Sequence, residues 1–212
     1  MRIVKTSAWA SIAALLAAAL LAGAAVATPP AGDEVLAPSD RHGKVSRLVT
    51  TLFERSHYRR MPVDDVASSR MLDAYLDALD GNRQYFLASD IEEFEAWRSG
   101  LDDAVKRGQL DPVFEIYRRY VDRTRARLEY ALSQLEVEHD FTVDEEFVFD
   151  RAEAPWPADE AELDDLWRKR VKNDALGLML TGKDWDESRE ILRGRYQQVL
   201  KRFEQVKSDD VF

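Results

Sequence analysis

The serines are the first residues to consider for chemistry, because a serine hydroxyl becomes a nucleophile when a neighbouring base activates it. A Ser/Lys hydrolase holds that serine on a rigid element, near a desolvated lysine and near backbone amides that bind the oxyanion. Here the serines fall in turns, helix caps and charged helix faces, with no glycine-rich turn between a strand and a helix. The sequence therefore predicts no catalytic residue in this chain. The serines include Ser39, Ser46, Ser56, Ser68, Ser69, Ser89 and Ser99.

A phosphate-binding loop is the second candidate, since Gly177 and the pair Gly182-Lys183 match the spacing of its glycines and lysine. However, Asp184 stands where Ser or Thr would hold the magnesium ion, and Gly177 falls inside a helical pattern instead of following a strand. A helix that ends with Gly182 as its C-terminal cap explains these residues better.

A metal site is the third candidate, because Asp184, Asp186 and Ser188 have the first ligand spacings of a calcium loop. Arg189 replaces the required glycine and Arg195 replaces the bidentate glutamate, so N-capping of the last helix is the better interpretation. No histidine belongs to a His-Glu-x-x-His pair. We expect no metal and no cofactor, and we interpret the histidines as surface or boundary residues. They are His42, His57 and His139.

The segment Pro155-Trp156-Pro157 is the candidate docking or structural anchor. Proline fixes φ and restricts the residue before it, so this arm should be rigid and non-helical. Trp156 is then either a wedge that closes the domain or an anchor for a neighbouring domain, because aromatic side chains contribute much of the energy of interfaces. We favour packing within the domain, since an exposed tryptophan is a liability in an exported monomer.

Apolar residues recur at helical spacing from about residue 44 onward, without the alternation of strands and helices that a doubly wound sheet requires. The pattern predicts an all-α domain of about six helices. Ser89 and Glu92 form a capping box for the third helix, and Asp111 caps the fourth. Residues 138–157 predict an extended, partly strand-like connector. The helices cover about 45–53, 66–79, 89–107, 112–132, 160–180 and 186–207.

Residues 1–27 predict a secretory signal peptide, with basic residues first, an apolar stretch over 12–21 and small residues that end at Ala27. Cleavage there would place the protein in the periplasm, and membrane contact is expected only through this segment. An uncleaved anchor is the alternative, but the apolar stretch is short for a span of about 20 residues. We divide the rest into a flexible tether over 28–43 and a helical domain over 44–212.

Charge and cysteine content exclude several classes of protein. The 212-residue chain has a net charge of -10 and no cysteine, so it forms no disulfide and carries no lipid-modified cysteine. An acidic exported protein is a poor candidate for binding nucleic acid or an anionic membrane. One basic cluster alternates with acidic residues on the long helix and predicts a solvated, salt-bridged face, as in the pair Glu115 and Arg119. Its residues are Arg118, Arg119, Arg123, Arg125 and Arg127.

Several short motifs between about Lys44 and Phe212 carry a family resemblance: His57-Tyr58, Leu79-Asp80, Tyr85-Phe86-Leu87-Ala88-Ser89-Asp90, Phe114-Glu115-Ile116-Tyr117, Glu129-Tyr130-Ala131-Leu132, Pro155-Trp156-Pro157, Asp159-Glu160-Ala161-Glu162-Leu163, Leu166-Trp167, Leu178-Met179-Leu180-Thr181-Gly182-Lys183 and Ser208-Asp209-Asp210-Val211-Phe212. Together they closely resemble the N-terminal domain of the tail-specific (C-terminal processing) proteases. These are exported serine peptidases of the S41 family with a Ser/Lys dyad.

The resemblance implies that this chain is the non-catalytic front of a protease. In the family, the PDZ domain and the catalytic core lie downstream of the region present here, so both are expected partners within one polypeptide. The resemblance also implies protein substrates with apolar C-terminal tails, a helical adaptor lipoprotein that docks on the enzyme, and no metal. Ser208 begins an N-cap pattern that only a few residues follow, as expected for a truncated chain.

Two alternatives of a different class stay open. The chain could be a stand-alone exported helical binding module that docks through the Trp156 arm or the long helix. It could also be an independent carboxylate-based hydrolase, although no pair of Asp or Glu residues is singled out by its sequence context.

Overall fold

The computed structural model describes residues 36–56 and 62–211, and all regular structure in these ranges is helical. This confirms the predicted all-α fold. The predicted signal peptide, residues 28–35 of the tether and His57 lie outside the described ranges. A 3₁₀-helix covers Glu95–Trp97, and the α-helices are α1 Asp40–Ser56, α2 Asp65–Asp80, α3 Ala88–Phe94, α4 Leu101–Arg107, α5 Asp111–Gln134, α6 Glu160–Met179, α7 Trp185–Glu204 and α8 Ser208–Val211.

The third helix predicted over 89–107 is in fact broken into α3, the 3₁₀-helix and α4. Ser89 lies inside α3 and is not its cap; the chain enters the helix at Leu87, whose amide donates to the Asp90 carboxylate at 3.0 Å. α4 begins after Gly100 because Ser68 of α2 accepts a hydrogen bond from the Leu101 amide at 2.8 Å. A residue more than 30 positions away in sequence therefore supplies a partner that helix periodicity does not reveal.

Helix α1 begins inside the stretch predicted as a tether, and it packs on α4 through an unusually close backbone approach. Gly108 ends α4 with φ +71, and a Cβ on Gly108 would lie 2.4 Å from the carbonyl oxygen of Gly43. Only glycine fits both the left-handed conformation and this distance. The Ser46 hydroxyl then donates to the Val105 carbonyl at 2.8 Å, so α1 satisfies a carbonyl in the last turn of α4.

Two apolar clusters form the core, and α5 contributes to both because its 24 residues run the length of the domain. Apolar side chains of α5 at helical spacing face α2 near its start and α6 and α7 near its end. The first cluster contains Leu72, Leu76, Phe86, Phe94, Leu101 and Ile116. The second contains Leu87, Leu128, Ala131, Leu135, Leu163, Trp167, Val171, Ala175, Leu192 and Tyr196.

The connector between α5 and α6 forms no strand within the described ranges, so the partial alternation of its apolar residues did not predict a sheet. Val143 and Phe149 are more than half exposed. The connector is held by polar contacts instead, such as the hydrogen bond from Asn82 Nδ2 to the Phe149 carbonyl at 2.9 Å. Among residues 36–56 and 62–211, no helix is both long and apolar enough to cross a membrane.

Candidate functional site

The turn that follows α2 is built around the buried carboxylate of Asp80, which is only 3 % exposed. Its Oδ1 accepts the amide of Gln84 at 2.8 Å, and its Oδ2 accepts the amides of Tyr85 and Phe86, both at 2.9 Å. One side chain thus fixes the path of the backbone over residues 81–86. Arg83 adopts φ +50 inside this turn, a left-handed conformation that costs a side-chain-bearing residue energy.

Asp80 carries its charge in a poorly solvated place. Burial raises the pKa of its carboxyl above the usual aspartate range, while the three amides and the charge of Arg151 act in the opposite direction. An acidic residue at the C-terminal end of a helix also opposes the helix dipole. Sequence reasoning named Asp80 only as part of a family motif and missed its role, and this unfavourable position at the end of α2 is the signal that could have found it.

The turn after α2 is hydrogen-bonded to the arm that contains Pro155-Trp156-Pro157. Asn82 accepts the Arg151 amide at 2.7 Å, Arg83 donates to the Ala154 carbonyl, and the Ala88 amide donates to the Pro157 carbonyl at 2.8 Å. Contacts of backbone atoms therefore hold the arm on both sides of Trp156. The arm is non-helical, as its prolines predict.

Trp156 itself is partly buried and packs on the edge of the first apolar cluster. Its ring lies 6.1 Å from that of Phe86 in an edge-to-face arrangement, and the Arg83 guanidinium lies 5.3 Å from its centre. Pro155 is exposed, whereas Pro157 is buried. The structure therefore places the arm mainly on the turn after α2 and not on the start of α6.

The same turn also anchors α6. The indole of Trp167 donates to the Gln84 carbonyl at 2.7 Å, and Arg170 donates to the Gln84 side chain at 2.6 Å. The Arg170 guanidinium stacks 4.4 Å from the centre of the Trp167 ring. Asp80 thus indirectly positions both the arm and α6, because all of these partners belong to the backbone that its carboxylate organises.

A second buried carboxylate, Asp90, joins α3 to α5. Arg123 donates to it through Nε at 2.8 Å and through Nη2 at 3.1 Å, and Arg119 pairs with it as well. Burial alone would raise the pKa of Asp90, but the bonds from Arg123, from the Leu87 amide and from Arg119 outweigh it and lower that pKa below the usual range.

The basic cluster of α5 is salt-bridged, as predicted, but its main bridges run between helices. Arg119 pairs with Asp90 and with Glu93 at 2.7 Å, and the expected pair with Glu115 is replaced by these contacts. Arg127 continues the network to Glu160 of α6 at 3.1 Å. Helix spacing predicts partners on one helix only, so the sequence did not reveal bridges to α3 and α6.

The histidines differ from prediction, because His42 and His139 are both buried. His42 Nε2 lies 2.7 Å from Asp209 of α8, and its ring stacks on Phe114. His139 Nε2 lies 2.9 Å from the Gln134 carbonyl, and burial lowers the pKa of this imidazole. Within the described ranges, no group of three or more His, Cys, Asp or Glu residues could hold a metal ion.

The other sequence candidates have structural roles. Asp184 caps α7, as predicted, and also shares a capping box with Glu187. Gly182 follows the end of α6 with φ +92. Several serine hydroxyls bond to backbone or arginine groups; Ser69, for example, accepts from Arg98 at 2.8 Å. The buried hydroxyl of Ser188 has no hydrogen-bond partner.

Comparison with known proteins supplies the family. The model of the tail specific protease N-terminal domain matches residues 48–212. A tail-specific protease from Haemophilus influenzae is 36% identical over 183 residues, which is 86% of this chain and 26% of that protein. The chain therefore spans about a quarter of the length of this relative. With a family match that includes α2 to α8, the turn after Asp80 and the proline-bounded arm, the chain belongs to the tail-specific protease N-terminal domain family.

Proposed function

We propose that this chain is the non-catalytic helical front of an exported tail-specific serine endopeptidase that degrades or processes proteins with apolar C-terminal tails. The match of the family model over residues 48–212 is the observation that supports it most. The matched 183 residues are 26% of the relative, which leaves room for further domains in the complete protein. The PDZ domain and the Ser/Lys core are the partners that we assign to that remaining part.

The contacts of Ser46 and Ser68 support a structural role for these two buried serines. Ser46 donates to the Val105 carbonyl, and Ser68 accepts the Leu101 amide. These hydroxyls link α1 and α2 to α4, and a hydroxyl committed to packing contacts is a poor nucleophile. Cleavage would therefore depend on residues outside this domain.

The arm has a structural role in this proposal. Trp156 makes an edge-to-face contact with Phe86 and lies under Arg83, and the flanking carbonyls of Ala154 and Pro157 accept hydrogen bonds from the segment after α2. A side chain held in this way closes the first apolar cluster and is not available as a mobile anchor for another domain. Pro155, which is exposed, is the only one of the three arm residues that faces outward.

Export rests on the sequence of residues 1–27, which predicts a cleaved signal peptide and a periplasmic protein that begins at Thr28. Nucleic acid is an unsuitable partner for a chain with a net charge of -10. A helical adaptor lipoprotein remains the partner that the family resemblance implies for the complete enzyme.

The competing function is a stand-alone exported helical binding module. The exposed apolar side chains of α1 favour it, because such a surface suits a partner protein. A continuous reading frame beyond codon 212 that encodes a PDZ domain and a Ser/Lys core would support the protease. A stop codon directly after it would support the binding module.

Activity provides the second test. The purified chain should not cleave peptides with apolar C-termini, whereas the product of a longer frame should cleave them. Cleavage by the chain itself that survives repurification and is abolished by the mutation of one serine would contradict the proposal. Amino-terminal sequencing of the periplasmic form should find Thr28 first.

A further inference from the structure

Helix α1 is packed on the domain through its polar stripe and not through its apolar one. The side chains and backbone that it buries belong to His42, Gly43, Ser46 and Thr50, which are small or polar. In α5, α6 and α7, the buried residues are mainly apolar, as in Leu163, Trp167 and Val171 of α6. The apolar stripe of α1 is therefore left exposed to solvent.

The apolar stripe of α1 follows the i, i+3, i+4, i+7 spacing that one helix uses to contact another. The exposed fractions are 38% for Val45, 59% for Leu48, 57% for Val49 and 53% for Leu52. These residues span about two turns of helix. Single exposed apolar residues are ordinary, but four in helical register form a contiguous surface that monomeric proteins usually cover.

One edge of this stripe is basic. Lys44 lies four residues before Leu48, and Arg55 lies three residues after Leu52, so both exposed cations border the same edge. The acidic Glu54 lies on the other side of the helix, where its charge acts on Lys106 of α4. The stripe thus has a positive rim although the whole chain has a net charge of -10.

We propose that the α1 stripe is a docking surface for an amphipathic helix of a partner protein, whose apolar side is flanked by acidic residues. The apolar side chains supply the spacing that an approaching helix matches, and the positive rim selects a negative flank. A second copy of this chain fits less well, because pairing α1 with α1 brings the two basic rims together. An anionic membrane fits less well too, since the acidic remainder of the domain would be repelled. This inference does not depend on the proposed protease function.

The probes are two synthetic amphipathic helices of about six turns, which share a leucine stripe and carry either Glu or Lys on the flank. Fluorescence anisotropy measures their binding to the full chain. The Glu-flanked helix should bind at least about tenfold more tightly than the Lys-flanked helix, which corresponds to about 1.4 kcal/mol. No binding of either helix to the wild-type chain would overturn the proposal.

Two double variants test the surface itself. Leu48→Ser with Leu52→Ser should weaken binding of the Glu-flanked helix at least about tenfold, whereas Leu180→Ser, which changes a residue that is 80% exposed on another helix end, should leave it unchanged. Lys44→Glu with Arg55→Glu should reverse the preference between the two probes. Because all five side chains are exposed, these variants should keep the helical circular dichroism spectrum.

Three outcomes would contradict the inference. Equal weakening by Leu180→Ser would mean that binding is nonspecific. Stripe-dependent binding to vesicles that contain anionic lipid, with no binding of the Glu-flanked helix, would assign the surface to a membrane. Self-association of the wild-type chain in sedimentation velocity, lost in the Leu48→Ser, Leu52→Ser variant, would assign it to a second copy.

Discussion

Two buried aspartates stand on either side of the turn between α2 and α3, and they keep their charge in different ways. Asp80 is surrounded by backbone amides, and burial raises its pKa. Asp90 is equally buried but is paired with Arg119 and Arg123, and its pKa is lowered. The two carboxylates therefore have different structural roles. Asp80 fixes the conformation of the backbone near it, whereas Asp90 connects helices that are distant in sequence.

The largest expected effect comes from removing each carboxylate. Asp80→Ala would leave the amides of Gln84, Tyr85 and Phe86 without an acceptor, and we expect a loss of about 4 kcal/mol in the free energy of unfolding. Asp90→Ala should cost about 2 kcal/mol, because its arginines are partly exposed and keep other acidic partners. Urea denaturation measures both losses.

Asp103→Ala is the control for these two variants, because Asp103 forms an exposed pair with Arg107 and should change stability by less than about 0.5 kcal/mol. If Asp90→Ala destabilises the chain more than Asp80→Ala, the backbone hydrogen bonds to Asp80 contribute less to stability than the arginine pairs of Asp90.

Substitution of Trp156 tests whether the turn that Asp80 organises holds the arm in place. Trp156→Ala should cost about 3 kcal/mol because it removes a large side chain from the edge of the first apolar cluster. The coupling energy between Trp156→Ala and Asp80→Ala should be about 1 kcal/mol, because the turn that Asp80 organises is hydrogen-bonded to the arm. The coupling energy with Asp90→Ala should be smaller. Double-mutant cycles in urea give both couplings.

The conservative change Trp156→Phe keeps a ring against Phe86 and should cost less than about 1.5 kcal/mol. A loss below about 0.5 kcal/mol for Trp156→Ala would place this residue with ordinary surface positions. It would then favour an anchor for another domain over packing.

The pH dependence of stability should distinguish the two aspartates by its sign. The lowered pKa of Asp90 gives stability that is present above the usual aspartate pKa and is lost as pH falls below it. The raised pKa of Asp80 gives a contribution that is present below the usual value and is lost as pH rises through the higher one. Asp90→Asn should therefore destabilise more at neutral than at acidic pH, and Asp80→Asn more at acidic pH.

The two variants should therefore show opposite trends of destabilisation with pH. Urea denaturation of the wild type and both variants, at several pH values from about 3 to 7, measures them. Comparison with the wild type at each pH removes the contribution of other titrating groups. Parallel curves for the two variants would contradict the assignment.

The smallest effect should come from the arm prolines. Pro155→Ala removes an exposed ring and adds freedom to the unfolded chain, so we expect a loss of about 0.5 to 1 kcal/mol. The same change at Pro157 keeps the carbonyl that accepts the Ala88 amide, but it also removes a buried ring and should cost somewhat more. If Pro157→Ala costs no more stability than Pro155→Ala in urea denaturation, burial of Pro157 does not stabilise the arm.

Much of the fold could be predicted from local patterns. Helix spans followed from apolar periodicity, and the cap at Asp184 and the end of α4 at Gly108 followed from residue types with known backbone preferences. The arm was recognised because proline restricts its own φ wherever it occurs. The site was predicted only in part: Trp156 was singled out, whereas the roles of Asp80 and Asp90 were not.

What the sequence by itself determined is therefore the type and approximate extent of each element, since those depend on neighbours within a few residues. Only the tertiary structure decided that Ser68 accepts a hydrogen bond from the first amide of α4 and that His42 is buried. It also decided that α1 packs through Gly43 and Ser46 and leaves its apolar stripe exposed. The physical reason is that periodicity shows that a helix has two faces, but not which face meets which partner. That choice depends on close approaches and hydrogen bonds between residues that lie far apart in the chain.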